Sequence, residues 1–390
     1  MVCFHFQDLD LNMLEVSRIN HTPAFVLEYD DFEKNLAVIK QLQQDVPCTF
    51  LLALKGFAMH SVFSDLAQCA QGATASSLNE ARLASEYFSD IHSYAPVYQE
   101  NEFAQLVELS SHITFNSLSE FARYKSRIGN VLAGLRINPE YARVENDLYN
   151  PCALGSRLGI PSHALKTLPE GISGLHCHNL CESSAEDMAL TLKQIEHLYG
   201  HLFNRITYLN LGGGHLVTKK GYDLELFKRT VSEFHTKYPH IQLYFEPGAA
   251  YVWETGVLVS KVLDIVDNGG ITTAMLDTSF AAHMPDCLEM PYTPRVRGAA
   301  LYTGQDIPSG MMRLRFGGSS CLAGDWVGEY LYPDTIKVSD HIVFEDMMHY
   351  TMVKTTMFNG LALPDIGIWK NDSYTVVKHF SYEDYRSRLS

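Results

Sequence analysis

Several features are scarce in this 390-residue sequence, and their scarcity excludes some classes of protein. No uninterrupted apolar run is long enough to cross a bilayer, so we expect no membrane span. The first eight residues lack the basic region and apolar core of a secretory signal, which predicts a cytoplasmic protein. Basic residues number 30 against 45 acidic ones, giving a net charge of −15. With no basic stripe visible, nucleic acid is not expected as a partner.

Paired cysteines are also missing, because none of the eight cysteines forms a Cys-x-x-Cys pair. Cys177 and Cys181 lie beside His176 and His178, and this grouping could suggest zinc. The alternative, which we favour, is that these thiols are core residues of strands. We therefore predict a reduced protein without disulfides and without a metal site.

The sequence from residue 48 to 248 alternates short apolar runs with longer amphipathic ones. Apolar residues at helical spacing predict helices over Leu78–Phe88 and Ala185–Leu202. Eight strands are predicted between such segments: Cys48–Leu54, Gly72–Ser77, Ile91–Pro96, His112–Asn116, Val131–Asn138, Ile172–His178, Ile206–Leu211 and Ile241–Glu246. Eight strand–helix units predict an α/β fold of the (β/α)8 TIM-barrel type.

After Pro247 the pattern changes to strands separated by turns. The predicted strands are Val257–Val266, Thr272–Asp277, Arg295–Leu301, Met312–Phe316 and Ser373–His379. We therefore predict a C-terminal β domain, sandwich-like or barrel-like, formed by residues 255–390 together with residues 1–21. The barrel is expected over residues 22–254.

Lys55 directly follows the first predicted strand, at the end of a barrel where active sites are built. Burying an ammonium group is costly, and losing the proton relieves that cost. A neutral, desolvated amine is the form that makes Schiff bases. Lys55 therefore points to a pyridoxal 5'-phosphate (PLP) enzyme. The alternative is a barrel without this cofactor, in which Lys55 merely extends its ammonium to solvent.

Further polar residues and glycines fall at or just past the ends of other predicted strands: Ser76, Arg136, His178, Gly212, Gly213, Gly214 and Glu246. The three glycines let the backbone approach an anion closely, near the usual phosphate site of a barrel. A carboxylate such as Glu246 can keep a pyridine nitrogen protonated. His178 is placed to stack on a cofactor ring, whereas His176 is expected to be a hydrogen-bonded core residue.

Cys321 lies in a stretch rich in glycine and serine, from Phe316 to Asp325. Such a composition is typical of an exposed loop, where a thiol could donate a proton. The alternative is an incidental loop cysteine.

The motifs, and their order along the chain, resemble those of the fold-type III PLP decarboxylases. These enzymes belong to the superfamily of alanine racemase and of ornithine and diaminopimelate decarboxylases. The motifs are Ala53-Leu-Lys55-Gly, Leu175-His-Cys-His178, Leu211-Gly-Gly-Gly214, Glu246-Pro-Gly248, Cys321 and Phe358-Asn-Gly360. The chain is most similar to the carboxynorspermidine/carboxyspermidine decarboxylase branch. The motifs for that branch are His178-Asn-Leu-Cys181-Glu182, Phe280-Ala-Ala-His283-Met-Pro-Asp286 and Ser320-Cys321-Leu-Ala-Gly-Asp325.

The resemblance implies a role for each matching residue. It implies that Lys55 carries PLP, that His178 stacks on its ring and that Glu246 pairs with its pyridine nitrogen. The cofactor pocket would also include Glu80, Arg136, Gly212, Gly213, Gly214 and Tyr350, with the glycines and the tyrosine at the phosphate. Cys321 would cross the interface of a homodimer and protonate the product in the partner's active site.

The reaction that the resemblance implies is decarboxylation of carboxynorspermidine or carboxyspermidine in polyamine biosynthesis. The two substrates differ by one methylene, and the sequence does not choose between them. The ammonium groups of such a substrate need acidic partners, for which the candidates are Glu246, Asp277, Asp286, Glu289 and Asp325.

Three alternatives share the same scaffold: another basic amino-acid decarboxylase, a racemase, and a PLP-binding protein without turnover. Leu322 follows Cys321 where ornithine enzymes have an aspartate, and the Glu-Ser pair typical of diaminopimelate enzymes is missing. One departure concerns the cofactor rather than the substrate: Ala249 and Ala250 stand where relatives often have an arginine that binds the phosphate. A racemase needs a second base, which Cys321 does not resemble, and PLP-binding proteins typically lack a β domain.

Overall fold

The computed structural model describes residues 14–143, 147–290 and 292–390, and it contains two compact units. The barrel unit comprises residues 33–253. The sheet unit comprises the described part of residues 1–32 and residues 254–390. Among the described residues, none of the helices combines the length and the apolar character that a membrane span requires.

The barrel unit is a closed ring of parallel strands, and all eight predicted strands form. Their bounds are Cys48–Ala53, Gly72–Ala75, Ile91–Tyr94, His112–Phe115, Leu132–Asn138, Ile172–His176, Tyr208–Asn210 and Gln242–Phe245. We number these barrel strands one to eight. Each pairs with the next along the chain, and the eighth closes the ring against the first, with Phe245 opposite Phe50. The prediction of a TIM barrel is confirmed.

Helices follow most of the barrel strands: Phe63–Leu66, Leu78–Ser85, Phe103–Leu109, Leu118–Tyr124, Ala185–Tyr199, Leu224–Lys237 and Ala249–Val252. Helix Tyr29–Asp45 precedes the first strand. Short polar side chains begin several of these helices, because their oxygens accept free backbone N–H groups. Ser77 and Ser117 do so, and Ser184 forms a capping box with Asp187.

One connection departs from the regular alternation. Between the fifth and sixth strands, the described residues contain the short strand Ile160–Pro161 and the 3₁₀ turns Asp147–Tyr149 and Ser162–Ala164, but no α-helix. Other 3₁₀ turns are Val16–Arg18, His60–Val62, Lys125–Arg127, Gly200–Arg205 and Phe358–Gly360.

Aromatic side chains fill the barrel interior because facing positions are glycines. A Cβ on Gly174 would lie 2.2 Å from the Tyr208 ring, and one on Gly134 would lie 2.5 Å from the Tyr208 hydroxyl oxygen. Tyr208 is 2% exposed, and its hydroxyl has no hydrogen-bond partner among the described residues. The ring therefore occupies space that only glycines at positions 134 and 174 leave open.

The sheet unit contains a mixed sheet of nine strands. Its strands are Ala24–Glu28, Gly256–Asn268, Ile271–Leu276, Ala300–Leu301, Met311–Gly317, Trp326–Pro333, His341–Glu345, Asp365–Lys370 and Ser373–Lys378. Strand Ala24–Glu28 pairs antiparallel with Gly256–Asn268 and parallel with Asp365–Lys370. The short helices are Phe280–His283, Asp286–Glu289 and Tyr382–Ser387.

The predicted domain boundaries differ from the observed units. Strand Ala24–Glu28 was placed in the barrel, but it belongs to the sheet unit, so residues 22–32 move from one to the other. Its uniformly buried apolar pattern is equally typical of a barrel strand, and long-range pairing alone decides its location. The predicted strand Arg295–Leu301 reduces to Ala300–Leu301, and residues 1–13 of the predicted β domain lie outside the described residues.

Substituting Gly134 by alanine should destabilise the barrel by ~1–3 kcal/mol, because the added methyl overlaps the Tyr208 hydroxyl. The double variant G134A/Y208F should recover at least half of that loss, since removing the hydroxyl removes the 2.5 Å contact. Urea unfolding of the single and double variants measures both values.

Gly200→Ala is the control, because the nearest side-chain atom would lie 3.7 Å away and the backbone there is helical. Its stability should be unchanged or slightly raised. Equal losses in Gly134→Ala and G134A/Y208F would contradict this account of the interior.

Candidate active site

The candidate active site is a cavity at the carboxyl ends of the barrel strands. It is lined by Ala53, Lys55, Thr74, Ser76, Tyr94, His176, His178 and Glu246. Lys55, His178 and Glu246 were predicted as site residues, and Ser76 was noted at a strand end. The tertiary structure therefore brings together side chains from strands that are far apart in the sequence.

A tight turn aims Lys55 into this cavity. The N–H groups of Gly56 and Phe57 both donate to the carbonyl of Ala53, at 3.0 and 3.2 Å. A Cβ on Gly56 would lie 3.0 Å from the Cα of Gly248, so the turns after the first and eighth strands touch through two glycines. This close approach places Lys55 above the strand ends.

The amine of Lys55 is paired with a neutral imidazole. Lys55 Nζ lies 3.0 Å from Nε2 of His178, whose Nδ1 accepts the N–H of Gly213 at 2.9 Å. Burial lowers the pKa of His178 well below its ordinary value, and the charge of Arg136 adds to this effect. The single proton of the neutral ring must therefore sit on Nε2 and point at the amine.

This geometry favours an unprotonated lysine. An N–H on His178 can donate to Nζ only when the amine keeps its lone pair. Solvent reaches the Lys55 side chain through the cavity, while protein encloses its other sides. That burial lowers the pKa of Lys55, against an opposing attraction from Glu246. The neutral, nucleophilic form expected from the sequence is consistent with both observations.

Glu246 also lines the cavity. Its carboxylate accepts the side-chain N–H of Asn210 at 2.6 Å and lies 3.8 Å from Nε2 of His176. Burial raises the pKa of Glu246, although the Asn210 hydrogen bond and the charge of Lys55 act to lower it. Nε2 of His176 has no hydrogen-bond partner among the described residues. A buried carboxylate held in this way is suited to a cationic partner.

Arg136 supports the cavity from behind rather than lining it. Its guanidinium donates to the Tyr94 hydroxyl at 2.6 Å and to the backbone carbonyl of His178 at 2.9 Å. The same group lies 4.9 Å from the centre of the Tyr94 ring. Arg136 is 3% exposed, so it fixes the positions of Tyr94 and His178.

The predicted glycine loop packs against both His178 and Glu246. Gly212 and Gly214 have φ values of 65° and 92°, which favour glycine. A Cβ on Gly212 would lie 2.6 Å from Nδ1 of His178, and one on Gly213 would lie 2.6 Å from the carbonyl oxygen of Glu246. Larger residues are therefore excluded from this loop.

Glu80 lies in the first turn of helix Leu78–Ser85, beside the cavity. Its carboxylate accepts the N–H of Ser76 at 2.6 Å, while its own N–H donates to Ser77 Oγ at 3.2 Å. Burial raises its pKa, and the hydrogen bond from the Ser76 N–H partly opposes that rise. Glu80 thus shapes the end of the second strand.

Sequence reasoning missed three polar residues of this site. Thr74 and Tyr94 line the cavity, and Asn210 holds Glu246. Each is a polar residue in the last two positions of a barrel strand, so the rule that selected His178 could have selected them.

The cysteine–histidine grouping does not form a metal cluster in the part of the chain that the structure describes. The Cys177 thiol donates to Asn179 Oδ1 at 3.2 Å, and His176 faces Glu246. The seven described cysteines are free thiols, and Cys3 lies outside the described residues.

The remaining predicted residues belong to the sheet unit. Cys321 is exposed, and its backbone N–H donates to Asn359 Oδ1 at 2.8 Å. Asp325 is buried and accepts from Ser279 Oγ and from two backbone N–H groups. Tyr350 is partly exposed, with φ of 49°.

The other two predicted acids also have partners within the sheet unit. Asp277 accepts from Thr22 and Ser260 hydroxyls and from the Lys261 backbone. Asp286, together with Glu289, binds the ammonium of Lys354.

Comparison with known families agrees with this geometry. The model of the family described as "Pyridoxal-dependent decarboxylase, C-terminal sheet domain" matches residues 24–348. The chain belongs to this family. This decarboxylase therefore uses PLP, as the sequence predicted from Lys55 and the motifs that follow it.

Relatives of this decarboxylase match over nearly the whole chain. Carboxyaminopropylagmatine decarboxylase of Synechocystis sp. is 50% identical, covering 97% of this chain and 98% of the relative. Carboxynorspermidine/carboxyspermidine decarboxylase of Campylobacter jejuni is 39% identical, covering 94% and 98%.

A solved structure agrees with these matches. Carboxynorspermidine decarboxylase from Campylobacter jejuni, complexed with norspermidine, superposes with a TM-score of 0.88 at 38% identity, covering 94% of this chain and all of that one. Diaminopimelate decarboxylase from Helicobacter pylori gives 0.82 at 16% identity, covering 96% and 98%, and shares the fold.

Lys55→Ala should abolish the visible absorbance band of the purified decarboxylase after incubation with PLP. Among the described residues that line the cavity, Lys55 is the one lysine, so the variant has no amine there to bind the cofactor. The unaltered protein should be yellow and should bleach with borohydride. Lys193→Ala, which removes an exposed lysine from helix Ala185–Tyr199, should keep the full band. A normal band in Lys55→Ala would show that another residue carries the cofactor.

Proposed function

We propose that this enzyme decarboxylates an α-amino acid whose side chain is a polyamine. The observation that carries the proposal is the pairing of the Lys55 amine with neutral His178, across a cavity from buried Glu246. That arrangement suits PLP chemistry on an amino acid, and relatives of 50% and 39% identity act on carboxylated polyamines by name.

In this proposal the cavity residues hold the cofactor. Lys55 would supply the amine that binds the cofactor aldehyde, and His178 would support the ring. The carboxylate of Glu246 would keep the pyridine nitrogen protonated, and this cationic partner would relieve the cost of burying Glu246. Gly212 and Gly213, whose backbones lie beside His178 and Glu246, would accommodate the phosphate together with Gly214 and Tyr350.

The bound cofactor supplies an electron sink for the carbanion that remains when CO₂ leaves. The protein would direct which bond breaks by fixing the orientation of the substrate carboxylate relative to the bound cofactor. Arg136 keeps His178 in place through its backbone carbonyl, and Glu80 does the same for Ser76. Both are therefore assigned positioning roles.

We further propose that Cys321 returns the proton to the product in a homodimer whose two active sites are shared. Cys321 is an exposed thiol, and its loop is held by Asn359. Three exposed apolar side chains accompany it: Leu322 and Trp326 follow Cys321 in the sequence, and Phe358 precedes Asn359, which accepts the Cys321 N–H. An exposed apolar group of this kind is typical of a subunit interface.

The candidate acids differ in the hydrogen bonds and ion pairs that they already make, and this decides how readily each can bind a substrate ammonium. Asp277 and Asp325 each accept three hydrogen bonds from the chain, so we assign them chiefly to loop structure. Asp286 already binds one ammonium, that of Lys354, jointly with Glu289. Because the ion pair with Lys354 can exchange one cation for another without unfolding a loop, we favour Asp286 as the acid that meets the substrate tail.

A cytoplasmic location stays a prediction.

The 50% identity to carboxyaminopropylagmatine decarboxylase favours a second substrate, with a terminal guanidinium in place of an ammonium. The reaction at the α-carbon is the same for both, so the cavity residues keep the roles given above. Which substrate the enzyme prefers depends on the residues that contact the terminal ammonium or guanidinium of the substrate side chain.

The substrate class can be tested by measuring CO₂ release from a panel of amino acids. Carboxyaminopropylagmatine, carboxynorspermidine and carboxyspermidine should exceed diaminopimelate and ornithine in kcat/KM by at least about 100-fold, because a site built for a long polar tail leaves buried groups unpaired with a short one. A lead for diaminopimelate would refute the polyamine assignment, and epimerised substrate without CO₂ would indicate a racemase.

Shared active sites can be tested by mixing two inactive variants. Cys321→Ala should bind substrate but lose most turnover, and Lys55→Ala should be inactive. Subunit exchange between them should restore about a quarter of the wild-type sites, because each mixed dimer has one intact site. Mixing two separate Lys55→Ala preparations is the control. No recovery in a mixture proven to contain heterodimers would place both residues in one subunit's site.

A further inference from the structure

His176 is a buried polar residue of the cavity without a role in the proposed reaction. It is the last residue of the sixth barrel strand, it is 2% exposed, and it lines the cavity together with His178 and Glu246. The sequence predicted a hydrogen-bonded core histidine at this position. The residue is buried as predicted, but its Nε2 has no hydrogen-bond partner in the described part of the chain. A buried polar atom without a partner calls for an explanation.

The strand register places His176 in a row of polar side chains. His176 lies directly beside Arg136 of the fifth strand and Asn210 of the seventh. Side chains of direct neighbours in parallel strands point to the same face of the sheet. Asn210 holds Glu246, and Arg136 holds the backbone of His178. Both outer members of the row therefore position residues of the site, and His176 lies between them.

The two carboxylate oxygens of Glu246 face different neighbours. Oε1 accepts the amide N–H of Asn210 at 2.6 Å, whereas Oε2 lies 3.8 Å from Nε2 of His176. The second distance is too long for a hydrogen bond, and too short for a bridging water, which needs roughly 4.5 Å between the atoms that it joins. A shift of less than about 1 Å would bring Nε2 within hydrogen-bond distance of Oε2.

The charge states suit such a bond. Burial lowers the pKa of His176 well below its ordinary value, and the charge of Arg136 adds to this effect, so the ring is neutral. A neutral imidazole has one N–H, which can sit on Nε2 and donate to a carboxylate. Burial raises the pKa of Glu246, and its hydrogen bonds with Asn210 and Thr74 oppose that rise. A further donor would act in the same direction as these two.

We propose that His176 is a positioning residue of the cofactor site, whose Nε2–H donates to Oε2 of Glu246 when the cofactor is bound. The inference rests on the proposed function, in which Glu246 meets the pyridine nitrogen. A carboxylate that stays ionised leaves the shared proton on that nitrogen, whereas one of higher proton affinity takes it. His176 thereby keeps the pyridine nitrogen protonated and preserves the electron sink that decarboxylation needs.

The test follows the pyridine nitrogen itself, in the full-length enzyme loaded with PLP that carries ¹⁵N in its ring. The ¹⁵N resonance differs between a protonated and an unprotonated pyridine, and the wild-type enzyme should show the protonated position. In His176→Leu the resonance should move toward the unprotonated position. The kcat should fall by about 10- to 100-fold with little change in KM, as expected for the loss of one hydrogen bond to a charged group. His176→Gln, whose amide N–H can replace Nε2–H, should restore most of both values.

His112→Leu is the matched control for the removal of a buried histidine. His112 is the first residue of the fourth barrel strand, so it lies at the amino end of the barrel, away from the cavity. The variant should lose stability without moving the ¹⁵N resonance. Should His176→Leu fail to fold, His176→Asn compared with His176→Gln gives the same test, because the shorter side chain holds its amide farther from Glu246.

Glu246→Gln separates this inference from the proposed function. It should move the ¹⁵N resonance farther than His176→Leu does, because it removes the carboxylate. A resonance that stays at the protonated position in Glu246→Gln would show that Glu246 does not serve the pyridine nitrogen, and the role of His176 would fall with that assignment. A resonance that moves in Glu246→Gln but not in His176→Leu would leave the proposed function intact and make His176 a packing residue only.

Discussion

In the proposed reaction, the chemistry of this decarboxylase depends on one hydrogen-bond chain, from the backbone of Gly213 through His178 to the amine of Lys55. The backbone N–H can only donate, so it fixes the tautomer of the imidazole and presents the other ring N–H to the amine. An ammonium group would conflict with that N–H. The glycine loop thus favours the neutral form of a lysine that follows a different strand.

Close backbone contacts make this chain possible. Gly56 and Gly248 bring the turns after the first and eighth strands together, and a side chain on Gly212 would collide with His178. These glycines leave space for functional groups, whereas Gly134 and Gly174 leave space for the Tyr208 ring in the interior. Small residues therefore allow close packing below the cavity and the close approach of backbone and polar side chains at its rim.

In the sheet unit, the loop that carries Cys321 is built around a buried carboxylate. Asp325 accepts from Ser279 Oγ and from the backbone N–H of Ser320, directly before Cys321. A Cβ on Gly318 would lie 2.4 Å from the Asp325 side chain, so glycine is required where the loop passes it. The acid that the sequence suggested for substrate binding is thus largely engaged in holding the loop of the thiol.

The sequence by itself determined the eight barrel strands and the placement of Lys55, His178 and Glu246 at their carboxyl ends. Both follow from local signals, because strand periodicity and the residue after each strand are readable without knowing the partners. Tertiary structure alone decided that Ala24–Glu28 joins the sheet unit, that Asn210 holds Glu246, and that His92 meets His112 beside Asp90. Those relationships depend on which distant segments pair and in which register, and a buried apolar strand or an isolated polar residue carries no local record of its partner.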